Sequence, residues 1–305
     1  MARVPAGNTR GSAQGRGLRP HGCARGVAAV IPAVAVSPDD LALAGAAVAA
    51  LRDELELYPK PGLVSPVDSG AHDDMDFDLM CRSAEALRQP FACLAAAGRQ
   101  GCSFEGALAP LGRDAERAML QATGGVNTHR GAIFCLGLIV AAIARARDAA
   151  AIQSTLVREW GAALKAHAAR GERAASHGGL VRQKTGVGGA RSEAVEGFPA
   201  VFRTGLPAYR SALAQGLEPA AARVQTLFAL MEAVDDTTVL YRGGIDAGRF
   251  VRRAAAGFLA DGGCSRDDWH ERAERLHRTF VARNLSPGGC ADLLAATLLV
   301  VRCSD

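Results

Sequence analysis

The stretch SPDDLALAGAAVAALRDELELYP, residues 37–59, shows most clearly how this chain folds. Ser37 is a typical N-cap residue, Pro38 suits the first helical position, and the two aspartates that follow favour the positive end of a helix dipole. Leu41, Val48, Leu51 and Leu55 recur at near-helical spacing, and Pro59 ends the run. The stretch predicts an amphipathic helix.

Similar patterns follow along the rest of the chain, while alternating strand patterns are absent. The predicted helices cover about 76–97 with a kink at Pro90, then 104–122, 130–148, 150–170, 205–215, 218–234, 246–260, 266–283 and 286–301. The connections are rich in glycine and polar residues, and the longest predicted connection runs from Gly171 to Pro207. We therefore predict an all-α fold with a single domain of about eight to ten helices, whose Gly-rich polar loops form one site.

Composition narrows the class of protein. Hydrophobic residues make up 49% of the 305 residues and charged residues 22%, which is typical of a soluble globular protein, and no apolar run reaches the length of a membrane span. The net charge of +4 comes from residues 1–36, which carry five arginines and no acid. We predict a disordered basic extension over 1–36, a catalytic domain over 37–305, a cytoplasmic location and no nucleic-acid partner. The eight cysteines form no C-x-x-C pair, which favours reduced, structural thiols.

The segment YPKPGLVSPVDSGAHDDMD, Tyr58–Asp76, is the first of five polar segments. It combines Lys60, His72, Asp73, Asp74 and Asp76 near the predicted start of a helix. A lysine, an imidazole and several carboxylates in such a position suit an Mg²⁺-bound polyphosphate.

Four more polar segments lie between hydrophobic helices. They are the second, Thr123–Gly131; the third, Ser176–Pro199; the fourth, Asp235–Gly244, placed at the close of a helix; and the fifth, Ser286–Asp292, which opens the last helix. Each one alone is weak, because a Gly-rich loop is usually only a turn, and the G-x-G-G-A-R run follows no strand and is not a dinucleotide fingerprint. Together they predict one composite active site. Three further histidines, His167, His270 and His277, lie in charge-rich helices and are predicted on the surface.

In combination, the motifs resemble those of the triphosphoribosyl-dephospho-coenzyme A synthases, which make the prosthetic-group precursor of citrate lyase and malonate decarboxylase. The resemblance depends on PKPGLV (59–64), GAHDDMD (70–76), GVNTHRGAIF (125–134), GARSEAVEGFP (189–199), DTTVLYRGG (236–244) and SPGGCADLLA (286–295). These motifs occur in the family's order. Thr238, Tyr241 and Cys290 depart from the residues typical of the family, which are Asn, His and Ser. The amino-acid sequence of the first segment is more similar to the malonate decarboxylase branch of the family than to the citrate lyase branch.

The resemblance implies a transferase that joins ATP to 3′-dephospho-CoA and releases adenine. A ribose hydroxyl of dephospho-CoA attacks C1′ of the ATP ribose, so the triphosphate is retained. This chemistry requires Mg²⁺, cations for the phosphates, a base for the hydroxyl and a proton for the adenine.

Each of these roles has candidate residues in the five segments. The catalytic candidates are His72, Asp74, His129 and Glu193, among which the general base stays open. The substrate-binding candidates are Lys60, Asn127, Arg130, His177, Arg191 and Arg242. The predicted metal ligands are Asp74, Asp76 and Asp236, with Asp235 and Asp292 in reserve.

Three alternatives compete with this interpretation. The His72-Asp73 dipeptide is typical of a metal-dependent helical phosphohydrolase, although that pattern needs a further histidine upstream. A helical ADP-ribosyl hydrolase also works at a ribose C1′ with acidic clusters and Mg²⁺. A non-catalytic scaffold that binds the carrier protein would explain the helices but not the five polar segments. Transient contact with the downstream transferase or the acyl carrier protein is a further expectation.

Overall fold

A computed structural model describes residues 34–170, 181 and 188–304. Residues 34–36 already contact the helical domain, since the carbonyl of Ala35 accepts hydrogen bonds from Arg99 and Gln100. The rest of the predicted basic extension, and His177 in the third segment, lie outside the described residues. The extension therefore stays a prediction.

The described residues form an all-helical domain without strands, as predicted. In chain order the α-helices are α1 (Pro38–Leu55), α2 (Phe77–Ala86), α3 (Arg88–Arg99), α4 (Ala109–Ala122), α5 (Arg130–Ile143), α6 (Ala149–Thr155), α7 (Gly161–Arg170), α8 (Gly189–Val195), α9 (Leu206–Ala214), α10 (Pro219–Ala233), α11 (Thr237–Ala260), α12 (Trp269–Ala282) and α13 (Gly288–Cys303). Short π-helical turns at Phe104–Leu108, Leu156–Trp160 and Ala200–Gly205 lead into α4, α7 and α9, and a 3₁₀ turn spans Gly263–Ser265.

Helix α1 begins where its sequence predicts. The Ser37 hydroxyl accepts the Asp40 N–H, and the Asp40 carboxylate accepts the Ser37 N–H in return, which completes a capping box. Arg99 of α3 then binds the same carboxylate at 2.7 Å. Burial opposes ionisation of Asp40, but the guanidinium and the cap hydrogen bonds keep its pKa below its usual value, so the cap also ties α1 to α3.

The centre of the domain is built from α1, α3, α5 and α13, which pack on one another. Small side chains allow their backbones to approach closely. A Cβ atom added at Gly98 of α3 would lie 2.1 Å from the carbonyl oxygen of Ala141 in α5, so only glycine fits there. Helix α5 is buried on nearly every side, which explains why its sequence is apolar throughout.

Two predicted boundaries are wrong. The predicted helix 76–97 is two helices that separate at Leu87, before Pro90, because proline lacks the N–H that helix continuation needs but is tolerated in a first turn. The fourth segment does not close a helix. Asp236 caps the start of α11, and the helix then kinks at Gly244, whose φ of 69° is left-handed.

Two more features concern the whole described region. Its seven cysteines are all free thiols. No helix among the described residues is long and apolar enough to cross a membrane.

Candidate active site

The described parts of all five segments lie next to one another around the N-terminal ends of α11 and α13. The first and fifth segments meet where His72 Nε2 lies 2.9 Å from Ser286 Oγ. The fourth joins them because Arg242 Nη1 donates to the carbonyl of Ala71 at 2.6 Å. Residues far apart in the chain thus form one cluster, as the composite-site prediction requires.

The second and third segments complete this cluster through close approaches at glycine. A Cβ atom at Gly131 would lie 2.0 Å from the Asp292 carboxylate, which brings the second segment against the fifth. A Cβ atom at Gly189 would lie 2.6 Å from Thr237, which brings the third against the fourth. Side chains larger than hydrogen would separate the segments at both points.

Asp236 joins α11 to α13. Its Oδ1 accepts the N–H groups of Thr238 and Val239 at 2.8 and 3.2 Å, and its Oδ2 accepts the N–H of Cys290 at 2.8 Å. The side chain is buried, and burial raises the pKa of Asp236, although the three N–H donors oppose that rise. Because Cys290 contributes a backbone N–H, its departure from the serine typical of the family leaves this contact intact.

Arg242 is a cation without a carboxylate partner among the described residues. Its guanidinium donates to the Ala71 carbonyl, to Asn284 Oδ1 at 2.8 Å and to the Asn284 carbonyl at 3.5 Å, and Nη2 lies over the His72 ring, 3.1 Å from Nδ1 and 3.5 Å from Nε2. Burial lowers the pKa of His72, and the neighbouring Arg242 lowers it further, so the imidazole is neutral near pH 7. The site therefore holds a positioned cation that makes no ion pair among the described residues, although the charges of Asp74, Asp236 and Asp73 act on it from farther away.

Lys60 occupies a different environment from Arg242. Its ammonium is 1% exposed and donates to the Glu54 carboxylate at 2.7 Å and to the Glu54 carbonyl at 2.6 Å. Burial lowers the pKa of Lys60, and Glu54 opposes this. The lysine predicted to bind phosphate is thus already paired.

His277 was predicted on the surface, and this prediction is wrong. The side chain is buried against the first segment: Nδ1 donates to the carbonyl of Lys60 at 2.7 Å, and Nε2 lies 3.1 Å from the Asp68 carboxylate. Tyr58 packs edge-on against the ring and donates to Glu274. His277 therefore fixes the turn that carries Lys60, and its spacing from Ala273 and Phe280, the other buried residues of α12, is the signal that could have identified it.

His129 precedes α5 and is almost fully buried. Its Nδ1 lies 2.7 Å from Ser83 Oγ, which also bonds Thr128, whereas its Nε2 has no hydrogen-bond partner among the described residues. Burial, and then the charge of Lys60, lower the pKa of His129 to about 4. The imidazole is therefore neutral, with one nitrogen left for another group.

Burial raises the pKa of two further carboxyl groups in the cluster. Burial raises the pKa of Asp292 well above its usual value, and the charges of Glu54 and Asp236 add to the rise, while the Ala132 N–H opposes it. Burial also raises the pKa of Glu193, whose Oε2 accepts the Ala200 N–H at 3.0 Å. Glu193 lines a cavity of about 410 Å³ together with Ser192, Pro199, Arg203, Thr204 and Asp235.

The remaining predicted residues lie at the edge of the cluster or outside it. Asp74 is exposed, with Oδ1 3.7 Å from His72 Nδ1, and Asp76 is an exposed N-cap of α2. Arg130 pairs with Glu116 at 3.2 Å, Asn127 is exposed, and Arg191 is partly buried without an ion-pair partner among the described residues.

The predicted metal ligands Asp74, Asp76 and Asp236 do not come together in the described part of the chain. The residues that the structure describes contain no other group of three or more His, Cys, Asp or Glu side chains placed to hold a metal ion. Asp76 and Asp236 use their oxygens as helix caps. The Mg²⁺ site therefore stays a prediction.

Taken together, the fold and the site define an all-α protein in which polar loops place an arginine without an ion pair among the described residues beside neutral histidines and carboxyl groups of raised pKa. This arrangement is suited to binding a phosphorylated ligand and transferring protons. Comparison with known proteins identifies the class further.

The chain belongs to the ATP:dephospho-CoA triphosphoribosyl transferase (CitG) family, whose pattern matches residues 40–305, and it is a transferase. It is 43% identical over 264 residues to a probable 2-(5″-triphosphoribosyl)-3′-dephosphocoenzyme-A synthase of Pseudomonas fluorescens strain Pf-5, covering 85% of this chain and 90% of the relative. Probable synthases of the same name from Azotobacter vinelandii strain DJ and Pseudomonas aeruginosa strain UCBPP-PA14 are 42% and 44% identical, over 84% and 85% of this chain and 89% and 90% of their own lengths. No solved structure matches the chain.

Proposed function

We propose that this chain makes 2′-(5″-triphosphoribosyl)-3′-dephospho-CoA from ATP and 3′-dephospho-CoA and releases adenine. The observation that carries the proposal is Arg242, a half-buried cation held by the Ala71 carbonyl and by Asn284 where the polar segments meet. A guanidinium fixed in this way is suited to a phosphate oxygen, because binding requires no protein ion pair to break. Arg191 supplies a second cation without an ion-pair partner in the described part of the chain.

The proton balance of this reaction fits the cluster. The hydroxyl of dephospho-CoA loses a proton when its oxygen bonds C1′, and adenine gains one as the C1′–N9 bond breaks. A protonated carboxyl group is suited to supply the second proton, and a neutral imidazole to accept the first. We assign the acid to Asp292 or Glu193 and the base to His72 or His129, the neutral histidines of the described site.

We propose that Mg²⁺ arrives with the triphosphate. The exposed carboxylate of Asp74 beside Arg242 fits such an ion, since its oxygens are not consumed by backbone N–H groups. The ion would neutralise phosphate charge. Asp236 and Asp76 fit this role less well, because both serve as caps.

We propose that the product supplies the carrier protein of malonate decarboxylase, and that the enzyme works in the cytoplasm, where its substrates are made. Support comes from the amino-acid sequence of residues 60–76, which is more similar to the malonate decarboxylase branch than to the citrate lyase branch. The test is complementation: the gene should restore carrier-protein modification in a strain that lacks the malonate-pathway synthase. Restoration of citrate lyase alone would reverse the assignment.

The reaction itself is tested by incubating purified protein with ATP, Mg²⁺ and 3′-dephospho-CoA and separating the products by mass-resolved chromatography. Free adenine with an adduct that retains the triphosphate is the expected result. ADP or AMP without adenine would indicate a phosphohydrolase, and free ADP-ribose released from an ADP-ribosylated substrate would indicate an ADP-ribosyl hydrolase. Unchanged nucleotide in folded protein would favour a carrier-binding scaffold.

A further inference from the structure

Asn284 supplies one of the acceptors that hold Arg242, although it lies outside the five polar segments. Its Oδ1 accepts from Arg242 Nη1 at 2.8 Å, and its backbone carbonyl lies 3.5 Å from the same nitrogen. The Ala71 carbonyl accepts the other hydrogen of Nη1 at 2.6 Å. The guanidinium is thus held at one nitrogen, and its Nε–H makes no hydrogen bond to the described residues.

The backbone of Asn284 forms the turn that ends α12. Its φ is 53°, in the left-handed region, and its N–H donates to the carbonyl of Val281 at 2.9 Å. The N–H of Leu285 donates to the carbonyl of Phe280, also at 2.9 Å, which completes a Schellman motif. Glycine is the usual residue at this position, because the left-handed backbone carries no steric cost for it. The turn itself therefore requires no side chain, whereas the contact with Arg242 does.

This turn is fixed against the first polar segment. Leu285 is buried, and a Cβ atom added at Gly62 would lie 2.0 Å from the Leu285 carbonyl oxygen. The Gly62 carbonyl in turn accepts the N–H of Ala71 at 3.0 Å. The two residues that hold Nη1, Ala71 and Asn284, therefore belong to turns that meet at Gly62. Their positions relative to each other are set by backbone contacts.

The neutral character of the Asn284 side chain matters for a phosphate site. An amide oxygen accepts a hydrogen bond from a guanidinium without cancelling its charge. A carboxylate of the same shape would form an ion pair with the guanidinium and would compete with a phosphate for its donors. Asparagine can therefore orient Arg242 and leave its charge for a ligand.

We propose that Asn284 is a positioning residue for Arg242, whose guanidinium it fixes toward a phosphate oxygen of the nucleotide substrate without neutralising it. This inference rests on the proposed function and adds a residue to its phosphate site. Asn284 itself acts through Arg242 and does not contact the substrate.

Two substitutions at position 284 separate positioning from a role in the turn alone. Asn284→Gly keeps the left-handed turn and removes the side-chain acceptor. Asn284→Asp keeps the shape and the acceptor but adds a negative charge next to the guanidinium. Because Asn284 is exposed, neither substitution leaves a cavity in the core. A residue that served only the turn would tolerate glycine without loss of phosphate binding.

The test measures binding of inorganic tripolyphosphate with Mg²⁺ to the full-length protein by calorimetry, which requires no turnover. Arg242→Ala and Asn284→Asp should each weaken binding about tenfold, and Asn284→Gly about threefold. In the Arg242→Ala background, Asn284→Asp should weaken binding by less than about threefold, because the cation that it neutralises is gone. Circular dichroism checks that each variant folds. If Asn284→Asp does not fold, the same cycle with Asn284→Gly answers the question.

Three outcomes would overturn the positioning role: no tripolyphosphate binding by the wild type, unchanged binding in folded Asn284→Asp, or an equal effect of the position 284 substitution with and without Arg242. Adenine release by the wild type is measured in parallel. If the variants behave as expected while the wild type releases no adenine, the phosphate site stands and the proposed reaction fails. Adenine release together with unchanged binding in Asn284→Asp would leave the reaction and remove the positioning role.

Discussion

Asp236→Asn distinguishes a structural carboxylate from a metal ligand. The asparagine oxygen can still accept the Thr238 and Val239 N–H groups, but its amide nitrogen would face the Cys290 N–H, which now donates to Asp236 Oδ2 at 2.8 Å. The substitution removes one hydrogen bond to a charged group and leaves two buried donors opposed. Each effect costs about 1.5–3 kcal/mol.

The net cost is smaller than the sum of these two effects. Because burial raises the pKa of Asp236, removal of its charge recovers part of the loss. We expect the free energy of unfolding to fall by about 2–3 kcal/mol and the melting temperature by roughly 5–10 °C. The assay is thermal and urea unfolding followed by circular dichroism.

Asp74→Asn is the matched control. Because Asp74 is exposed, this substitution should change the free energy of unfolding by less than about 0.5 kcal/mol. If Asp236→Asn unfolds at the wild-type temperature, the reasoning from its three hydrogen bonds is refuted. Loss of adenine release at unchanged stability would return Asp236 to the metal ligands.

Three further predictions concern the core and the buried charges. The pKa of His129 is lowered from 6.5 in the unfolded chain to about 4, so the free energy of unfolding is highest above pH 6.5 and falls by roughly 3 kcal/mol as the pH drops to 4. His129→Gln should flatten this part of the pH profile, measured by urea unfolding. An unchanged slope would contradict the assignment. Gly98→Ala should lower the free energy of unfolding by about 3 kcal/mol, because the added Cβ atom would lie 2.1 Å from a backbone carbonyl oxygen. Gly112→Ala is the control: its Cβ atom has nothing within 4 Å, so this substitution should raise the melting temperature slightly. Equal effects of the two substitutions would rule out the close approach. Lys60→Met should lower the free energy of unfolding by about 3–5 kcal/mol, because it leaves the buried Glu54 carboxylate without its partner. Adding Glu54→Gln should restore part of that loss. A double variant no more stable than Lys60→Met would show that the two residues are not coupled.

Local signals predicted much of the fold correctly. The Ser37 cap, the apolar pattern of α5 and the all-helical class are confirmed, because each depends on residues close together in the chain. The direction of the fourth segment was not predictable in this way. Asp236 resembles a helix-end acid in sequence; it caps α11 through the nearby N–H groups of Thr238 and Val239, and only its link to α13, through the Cys290 N–H 54 residues away, depends on the tertiary structure.

The site was predictable as a set of segments but not as a set of roles. Residue types and their spacing indicated which loops carry the chemistry, and the structure places the described parts of these loops together. Whether a cation is free depends on its neighbours in space. Lys60 and Arg130 are paired with Glu54 and Glu116, while Arg242 is held by neutral acceptors.

The amino-acid sequence alone determined the helical class, the five polar segments and the family, since periodicity, caps and motifs are properties of neighbouring residues. Only the tertiary structure decided which carboxylate joins two helices, which histidine is buried and which cations are paired with a carboxylate. Those properties depend on burial and on contacts between residues as much as 217 positions apart. Desolvation and charge pairing depend on which residues are close in space, so they cannot be predicted from residues that are neighbours along the chain.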